Sequence, residues 1–200
     1  EHMDQVPEDI RENMTAIKET SAHLNQLIND LLEIARSESG TVSIAVSPHP
    51  FPPILDRVTE GVSSLLQEKS LTLQADVAPL PAVLCDETKL REVLLNLVSN
   101  AIKYNREGGV ITIKAYLNEA RSKMICEVKD TGFGIPKDRQ DRIFQKFFRA
   151  STPGTEGVIG TGLGLFLTRM LVEKMGGKIS FTSVEQEGTT FTFTLPVAPA

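Results

Sequence analysis

Apolar residues recur along this chain with two different periods, and the switches between them divide it into elements. Residues 8 to 38 carry a helical period. Ile17, Leu24, Leu27, Leu31 and Ile34 fall at spacings of seven, three and four, and Ile28, Leu32 and Ala35 widen the stripe. No Pro or Gly interrupts the run between Glu8 and Ser39, and Gly40 suits its stop. Strand-like alternation follows in Thr41 to Ser47, through Val42, Ile44 and Val46. The Pro48-His49-Pro50-Phe51-Pro52-Pro53 stretch breaks it and starts the next helix. Ile54 to Lys69 is helical in period, Leu71 to Val77 reads as a strand, and Pro79 to Leu84 as a connector. Asp86 is placed to N-cap a strongly periodic helix, Leu90 to Tyr104.

Beyond the Gly108-Gly109 turn the period drops to two. Val110 to Leu117 and Lys123 to Asp130 form an antiparallel pair around Asn118 to Ser122. Pro136 opens a short helix through Phe144, and residues 146 to 160 form a polar, Gly-containing loop. Leu163 to Met175 is a helix that stops at Gly176-Gly177. A last hairpin, Lys178 to Val184 with Thr189 to Leu195, buries Phe191, Phe193 and Leu195. This order predicts an α/β (α+β) two-layer sandwich, a mixed sheet of about five strands covered on one face by helices and preceded by one long helix. The long helix suits a bundle or dimer arm; the plainer reading packs it on its own domain.

Composition narrows the class. Lys+Arg 21 against Asp+Glu 26 leaves a net charge of −5, which argues against a general nucleic-acid or membrane surface. Cys85 and Cys126 are far apart and form no CxxC or Cys/His cluster, so a reduced, cytoplasmic setting is expected and a cysteine zinc site is not. No apolar run approaches the ~20 residues of a membrane helix. Glu1-His2-Met3 reads as a cloning scar, and the chain as a piece of a longer protein whose parent could be membrane-anchored.

Four patches carry chemistry. Asn96, Asn100 and Lys103 share one stripe of the Leu90–Tyr104 helix. Two amide oxygens and an ammonium amid an apolar helix suit a hard cation held with phosphate; a solvated polar face is the alternative. In Asp130-Thr131-Gly132-Phe133-Gly134-Ile135, Asp130 shares parity with Met124, Cys126 and Val128 and so points to the covered face. Either it accepts from a donor such as a purine amino group, or it closes an Asp-Thr-Gly turn. In Arg142 to Arg149, Phe144, Phe147 and Phe148 would anchor a loop while Lys146 and Arg149 stay cationic. Gly160-Thr161-Gly162-Leu163-Gly164-Leu165 opens a helix after that loop, either as an anion site or as a packing turn. A Walker A reading fails because no lysine follows these glycines, and a dinucleotide-fold reading because a loop precedes them.

Together, in this order, the patches resemble the N, G1, F and G2 boxes of the Bergerat-fold ATPases, the superfamily of gyrase, Hsp90, MutL and histidine kinases. Asn96 to Tyr104, the Asp-Thr-Gly-Phe-Gly run, the phenylalanine patch, the glycine run and Gly188-Thr189-Thr190-Phe191 most resemble sensor histidine kinases. The resemblance implies ATP and Mg²⁺ as cofactors. It makes Asn100 the metal ligand, supported by Asn96, and puts Lys103 and Tyr104 along phosphates and ribose. Asp130 would take the adenine amino group, with Gly132, Gly134 and Ile135 around the base and Thr189 near it. Lys146 and Arg149 would meet the phosphates, and Gly160, Thr161, Gly162, Leu163, Gly164 and Leu165 would hinge a lid, residues 146–161, over them. Asn96, Asn100 and Lys103 would act in the transfer.

Two departures refine this. Hydrolases of the superfamily carry a glutamate four residues before the metal asparagine; here that position is Asn96, which favours transfer to an acceptor over hydrolysis. Glu92 lies a further turn away and is not expected to reach. None of His2, His23 and His49 matches the family's phosphoacceptor, a histidine followed by an acid and soon a proline. Residues 4–40 therefore resemble only the second helix of a dimerisation and phosphotransfer bundle, and 41–200 the ATP-binding catalytic domain. The reading is the catalytic part of a protein-histidine kinase of two-component signal transduction. A response regulator and a homodimer of the full-length protein are its implied partners, with no nucleic acid and no membrane contact by this part. The rivals are an ATPase of the same fold and a non-catalytic nucleotide-sensing scaffold.

Overall fold

The site is carried by a five-stranded sheet in the spatial order Thr72–Val77, Val110–Leu117, Lys123–Asp130, Gly188–Pro196, Lys178–Val184. The computed structural model describes residues 8–38, 44–150, 154 and 160–199. β4 (Val110–Leu117), β5 (Lys123–Asp130), β6 (Lys178–Val184) and β7 (Gly188–Pro196) pair antiparallel, and β2 (Thr72–Val77) joins β4 in parallel. Period two sends Ile111, Ile113 and Ala115, Met124, Cys126 and Val128, and Phe191, Phe193 and Leu195 to one face, where all are buried. Register stacks them across strands: Val128 lies opposite Ile113 and Phe191, and Cys126 opposite Ala115 and Phe193. Their alternates, such as Lys114, Lys129 and Thr192, stay exposed or half-buried.

Helices α2 (Phe51–Gly61), α4 (Glu87–Lys103) and α5 (Gly164–Lys174) cover that face. α4 buries Leu90, Val93, Leu94, Leu97, Val98, Ala101 and Ile102 as its period predicts, and Asp86 caps it by accepting from the Lys89 N–H at 3.2 Å. Lys69 closes the other end, donating to the Ile102 and Lys103 carbonyls. Truncating a core residue such as Leu94 costs ~2–5 kcal/mol by lost burial and the cavity left behind. The mixed five-stranded sheet with helices on one face is the predicted class.

Four local expectations give way. The helix expected over Ile54–Lys69 is two, α2 and α3 (Ser63–Glu68), broken at Val62 beside Gly61, a weak helix former. The strand expected over Thr41–Ser47 is not found at residues 44–46, and 41–43 lie outside the described residues. The strand is instead β1 (Ser47–His49), paired with β3 (Val83–Cys85), which begins within the expected connector and runs one residue past it. A ladder that short is set by its buried partner, Val83 and Cys85, not by its own alternation. The helix expected from Pro136 through Phe144 is a 3₁₀ turn, Lys137–Arg142. Phe147 anchors nothing: it is 60% exposed and its backbone is left-handed, φ 63°. Phe144 and Phe148 do pack on the core, Phe144 edge-on to Phe181 and Phe191.

The long helix α1 (Glu8–Glu38) runs as one piece. Ile10, Met14, Ile17, Leu24, Ile28, Leu31 and Leu32 along it are exposed. It meets the domain near its C-terminal end, where Ile34 packs with Leu163 and Leu167, and Leu27 packs beside them. No helix among the described residues is long and apolar enough to cross a membrane.

Candidate functional site

α4, α5, the end of β5 and the start of β7 enclose a cavity of about 380 Å³. One wall is the polar stripe of α4, where Asn96, Asn100 and Lys103 line the cavity one turn apart, with Tyr104 at the helix end. The opposite wall is the glycine run at the start of α5: Gly160, Thr161, Gly162, Gly164 and Leu165. Asp130, Gly134, Ile135 and Thr189 form the floor, and Arg149 stands at the edge. Segments far apart in the sequence thus converge on one space.

Three of the expected residues are not on the wall. Gly132 is buried behind it and donates its N–H to Asp130 Oδ1 at 2.9 Å. Lys146 is half-buried, with its ammonium 5.0 Å from the centre of the Phe166 ring. Leu163 is fully buried against α1, and its N–H is taken by the Thr161 hydroxyl at 3.1 Å. Of the loop expected over residues 146–161, positions 151–153 and 155–159 lie outside the described residues.

Asp130 is 5% exposed, as its strand parity predicts. Its Oδ1 accepts from the Gly132 and Thr189 N–H groups, at 2.9 and 3.2 Å. Among the described residues both bonds fall on this one oxygen, and the residue lines the cavity, so the carboxylate keeps acceptor capacity for a ligand there. Burial pushes the carboxyl up to about 6, against the opposing pull of the two N–H donors. A buried carboxylate at a cavity wall, with one oxygen held by two N–H groups and lone pairs left over, is built to accept from a ligand donor.

Around it sits a hydrogen-bonded collar. The Ser183 hydroxyl takes the Ile135 N–H at 2.8 Å, donates to the Gly188 carbonyl and meets the Thr189 hydroxyl at 2.9 Å. Gln140 donates to the Ile135 and Ser183 carbonyls. Arg106 reaches the Gln186 carbonyl and side chain and lies 5.5 Å from the centre of the Phe133 ring. Ser183, Gln140 and Arg106 carry no sequence signal of their own. Each has a partner between 43 and 80 residues away.

On the other wall the glycines differ in purpose. A Cβ on Gly164 would stand 2.5 Å from Asn96 Oδ1, so α5 starts in contact with α4 only because that atom is missing. Gly162 is left-handed, φ 71°, and a Cβ there would stand 2.7 Å from the Phe147 backbone, so only glycine allows this approach. α5 has no side-chain cap, so its first N–H groups face the cavity end unbonded by a side chain.

α1 also reaches the cavity. Asp30, 6% exposed, lines it and accepts from the Thr161 hydroxyl at 3.0 Å. Glu92, expected out of reach, lines the cavity too. Its carboxylate is bonded to Lys89 at 3.0 Å, and Lys89 also pairs with Glu33 of α1. Burial and the neighbouring Glu33 carboxylate raise the Glu92 carboxyl, with Lys89 opposing.

The comparisons with known proteins agree with this architecture. Residues 85–199 match the family model described as histidine kinase-, DNA gyrase B- and HSP90-like ATPase. The chain is 39% identical over 175 residues to the adaptive-response sensory kinase SasA of Crocosphaera subtropica, covering 87% of this chain and 45% of that protein. It is 36% identical over 193 residues to the circadian input-output histidine kinase CikA of Synechococcus elongatus, covering 93% of this chain and 25% of that one. It therefore spans less than half the length of these relatives. Among solved structures, full-length ShkA in complex with AMPPNP superposes with TM-score 0.81 at 31% identity, over 98% of this chain and 41% of that one. The catalytic domain of the histidine kinase ThkA superposes with TM-score 0.66 at 27% identity, over 77% of this chain and 99% of that one. The chain belongs to the family of histidine kinase-, DNA gyrase B- and HSP90-like ATPases, and within it is the ATP-binding domain of a sensor histidine kinase.

Proposed function

We propose that this cavity binds ATP with Mg²⁺ and that, in the whole protein, the chain transfers the γ-phosphoryl group to a histidine supplied from outside residues 1–200. The observation that carries the reading is Asp130: a buried carboxylate with one oxygen fixed by two backbone N–H groups and the cavity before it. It would accept from the adenine amino group, with Gly134, Ile135 and Thr189 around the base. Lys103 and Arg149 would face the phosphates, Lys146 would approach them from its place on Phe166, and Tyr104 would lie along the ribose. Asn100 would hold the metal through its amide oxygen, a donor type Mg²⁺ accepts beside phosphate oxygens and water. Bound Mg-ATP supplies the phosphoryl group and the metal offsets its charge. The uncapped N-terminus of α5, behind Gly160, Gly162 and Gly164, would cradle phosphate, with residues 146–161 as the covering loop.

Transfer is favoured over hydrolysis by two observations. Asn96 stands where a water-activating glutamate would be, and its amide donates to Thr168 at 2.7 Å. Glu92 is tied to Lys89 and is no free base. The exposed apolar stripe of α1 supports its reading as the second helix of a dimer bundle, residues 4–40, ahead of a catalytic domain from residue 41. A response regulator would be the onward partner, as in the solved complex of the histidine kinase ThkA with the response regulator TrrA, and the two free cysteines, Cys85 and Cys126, suit a cytoplasmic setting.

Titration with a fluorescent ATP analogue, with and without Mg²⁺, tests the site. Saturable, Mg-dependent binding that unlabelled ATP displaces is expected. Labelled phosphate should then pass from ATP to an acceptor-histidine helix added in trans. Steady phosphate release to water without acceptor would favour the ATPase instead, and binding with neither outcome the sensing scaffold.

A further inference from the structure

Thr168 is the buried polar residue of α5 that the motifs leave unexplained. Its helix neighbours on the inner side, Leu167, Leu171 and Val172, are buried and apolar, and Thr168 itself is 1% exposed. A valine would fill the same volume without a hydroxyl to satisfy. The hydroxyl instead accepts from Asn96 Nδ2 at 2.7 Å, joining α5 to α4 across 72 residues of sequence. The other end of the same amide, Asn96 Oδ1, lies against the Cα of Gly164, where a Cβ would come within 2.5 Å. One turn along α4 stands Asn100, and both asparagines and Thr168 line the cavity.

Resting on the ATP reading above, we propose that Thr168 is a positioning residue for the triphosphate. It fixes the Asn96 amide, and the fixed amide sets the separation between the metal-side stripe of α4 and the uncapped first turn of α5. An amide left to rotate would present its NH₂ group to Gly164 in place of the oxygen. It would also leave a buried donor unpaired. Either change moves the α5 N–H groups relative to Asn100, the two features that must meet one phosphate chain together. The base is unaffected, because Asp130, Gly132 and Thr189 are held by bonds within β5, β7 and their connecting loops. Thr168 touches no part of the nucleotide in this assignment; it acts through Asn96.

The test compares Mg-ATP with AMP, which carries the base without the triphosphate. Both displace a fluorescent ATP analogue from the wild-type chain, from Thr168→Val and from Thr168→Ser, alongside thermal melting. Thr168→Val is expected to weaken Mg-ATP about tenfold and AMP by less than about twofold, and Thr168→Ser to restore Mg-ATP to within about twofold. Should the valine variant fail to fold, Thr168→Cys, a weak acceptor of similar size, takes its place with an intermediate loss expected. Equal losses for Mg-ATP and AMP, tracking the melting temperature, would reduce Thr168 to a structural role and overturn the proposal. So would a valine variant with unchanged Mg-ATP affinity. A wild-type chain that binds neither nucleotide would instead overturn the ATP reading itself.

Discussion

The two ends of the cavity are held in place by different means. At the Asp130 end, several side chains hold the backbone of separate segments: the carboxylate takes two N–H groups, Ser183 and Gln140 tie the surrounding loops, and Arg106 links the Phe133 loop to the β6–β7 turn. At the glycine end the wall is the start of one helix. It is held by a side-chain amide, by the Thr161 hydroxyl, and by a small apolar cluster shared with α1. The first end is preorganised before any ligand arrives; the second depends on how α4, α5 and α1 sit together. A rigid, planar base suits a fixed acceptor. A phosphate chain that must be bound, cut and released suits a wall that can shift.

The comparison breaks first at Asp130. Asp130→Asn keeps an acceptor for the Gly132 and Thr189 N–H groups but turns an NH₂ toward the base. Losing a charge-assisted bond and gaining a donor–donor clash should cost about a hundredfold in affinity for ATP and AMP alike. The melting temperature should change little. If AMP still binds at the wild-type level, Asp130 does not hold the base. Isothermal titration with both nucleotides decides it.

Next in size is Gly164→Ala. The new methyl meets Asn96 Oδ1 and must push α5 from α4, so Mg-ATP affinity should fall about tenfold or more, with AMP less affected. Gly160→Ala is the control, because nothing lies within 4 Å of a Cβ there. Equal effects at the two glycines would mean that the run matters for flexibility and not for the close approach.

The fixed end should also be the pH-sensitive one. The Asp130 carboxyl sits at about 6, raised by burial, so the folded empty site favours the protonated form. Its contribution to stability is fullest below the ordinary carboxylate range and declines as pH rises through about 6. Binding runs the other way: a ligand donor needs the anion, so below about 6 a proton must leave first. Affinity for AMP should be flat above pH 7 and lower by about fourfold at pH 5.5, and Asp130→Asn should abolish that slope.

How much of this was readable in advance differs between the two ends. Strand parity alone buried Asp130, because β4, β5 and β7 alternate cleanly and one face is covered. The α4 stripe was equally plain, since three polar residues at helical spacing interrupt an apolar period. What the sequence could not show is what holds those residues. Thr168 looks like any helix residue until Asn96 is placed beside it. Asp30 looks like part of a solvated helix face, yet its partner Thr161 lies 131 residues on. β1 and β3 escape local patterning for the same reason, since each is a strand only because the other is there. Leu163, expected at the phosphates by its place in a glycine motif, is instead the residue that seats α5 on Ile34.

The smallest effect expected tests whether α1 belongs to the adjustable end at all. Ile34 is 5% exposed and packs on Leu163 and Leu167, at the turn that starts α5. Ile34→Ala removes apolar contact there and should loosen the junction by ~2 kcal/mol, at the low end for such truncations because the cluster is small and peripheral. The loss should be local. Among its ties to the domain, α1 has Asp30 on Thr161 and Glu33 on Lys89, while Ile34 belongs to a cluster separate from the main core. Hydrogen exchange should therefore quicken in residues 27–34 and 163–167 and stay unchanged in β5 and β7. AMP affinity should hold within about twofold and Mg-ATP shift by less than about threefold, in either direction, because α1 both supports the α5 start and places the Asp30 carboxylate in the cavity. A variant that loses AMP binding, or exchanges faster throughout the sheet, would show that the two ends are one cooperative unit and that the contrast between them does not exist.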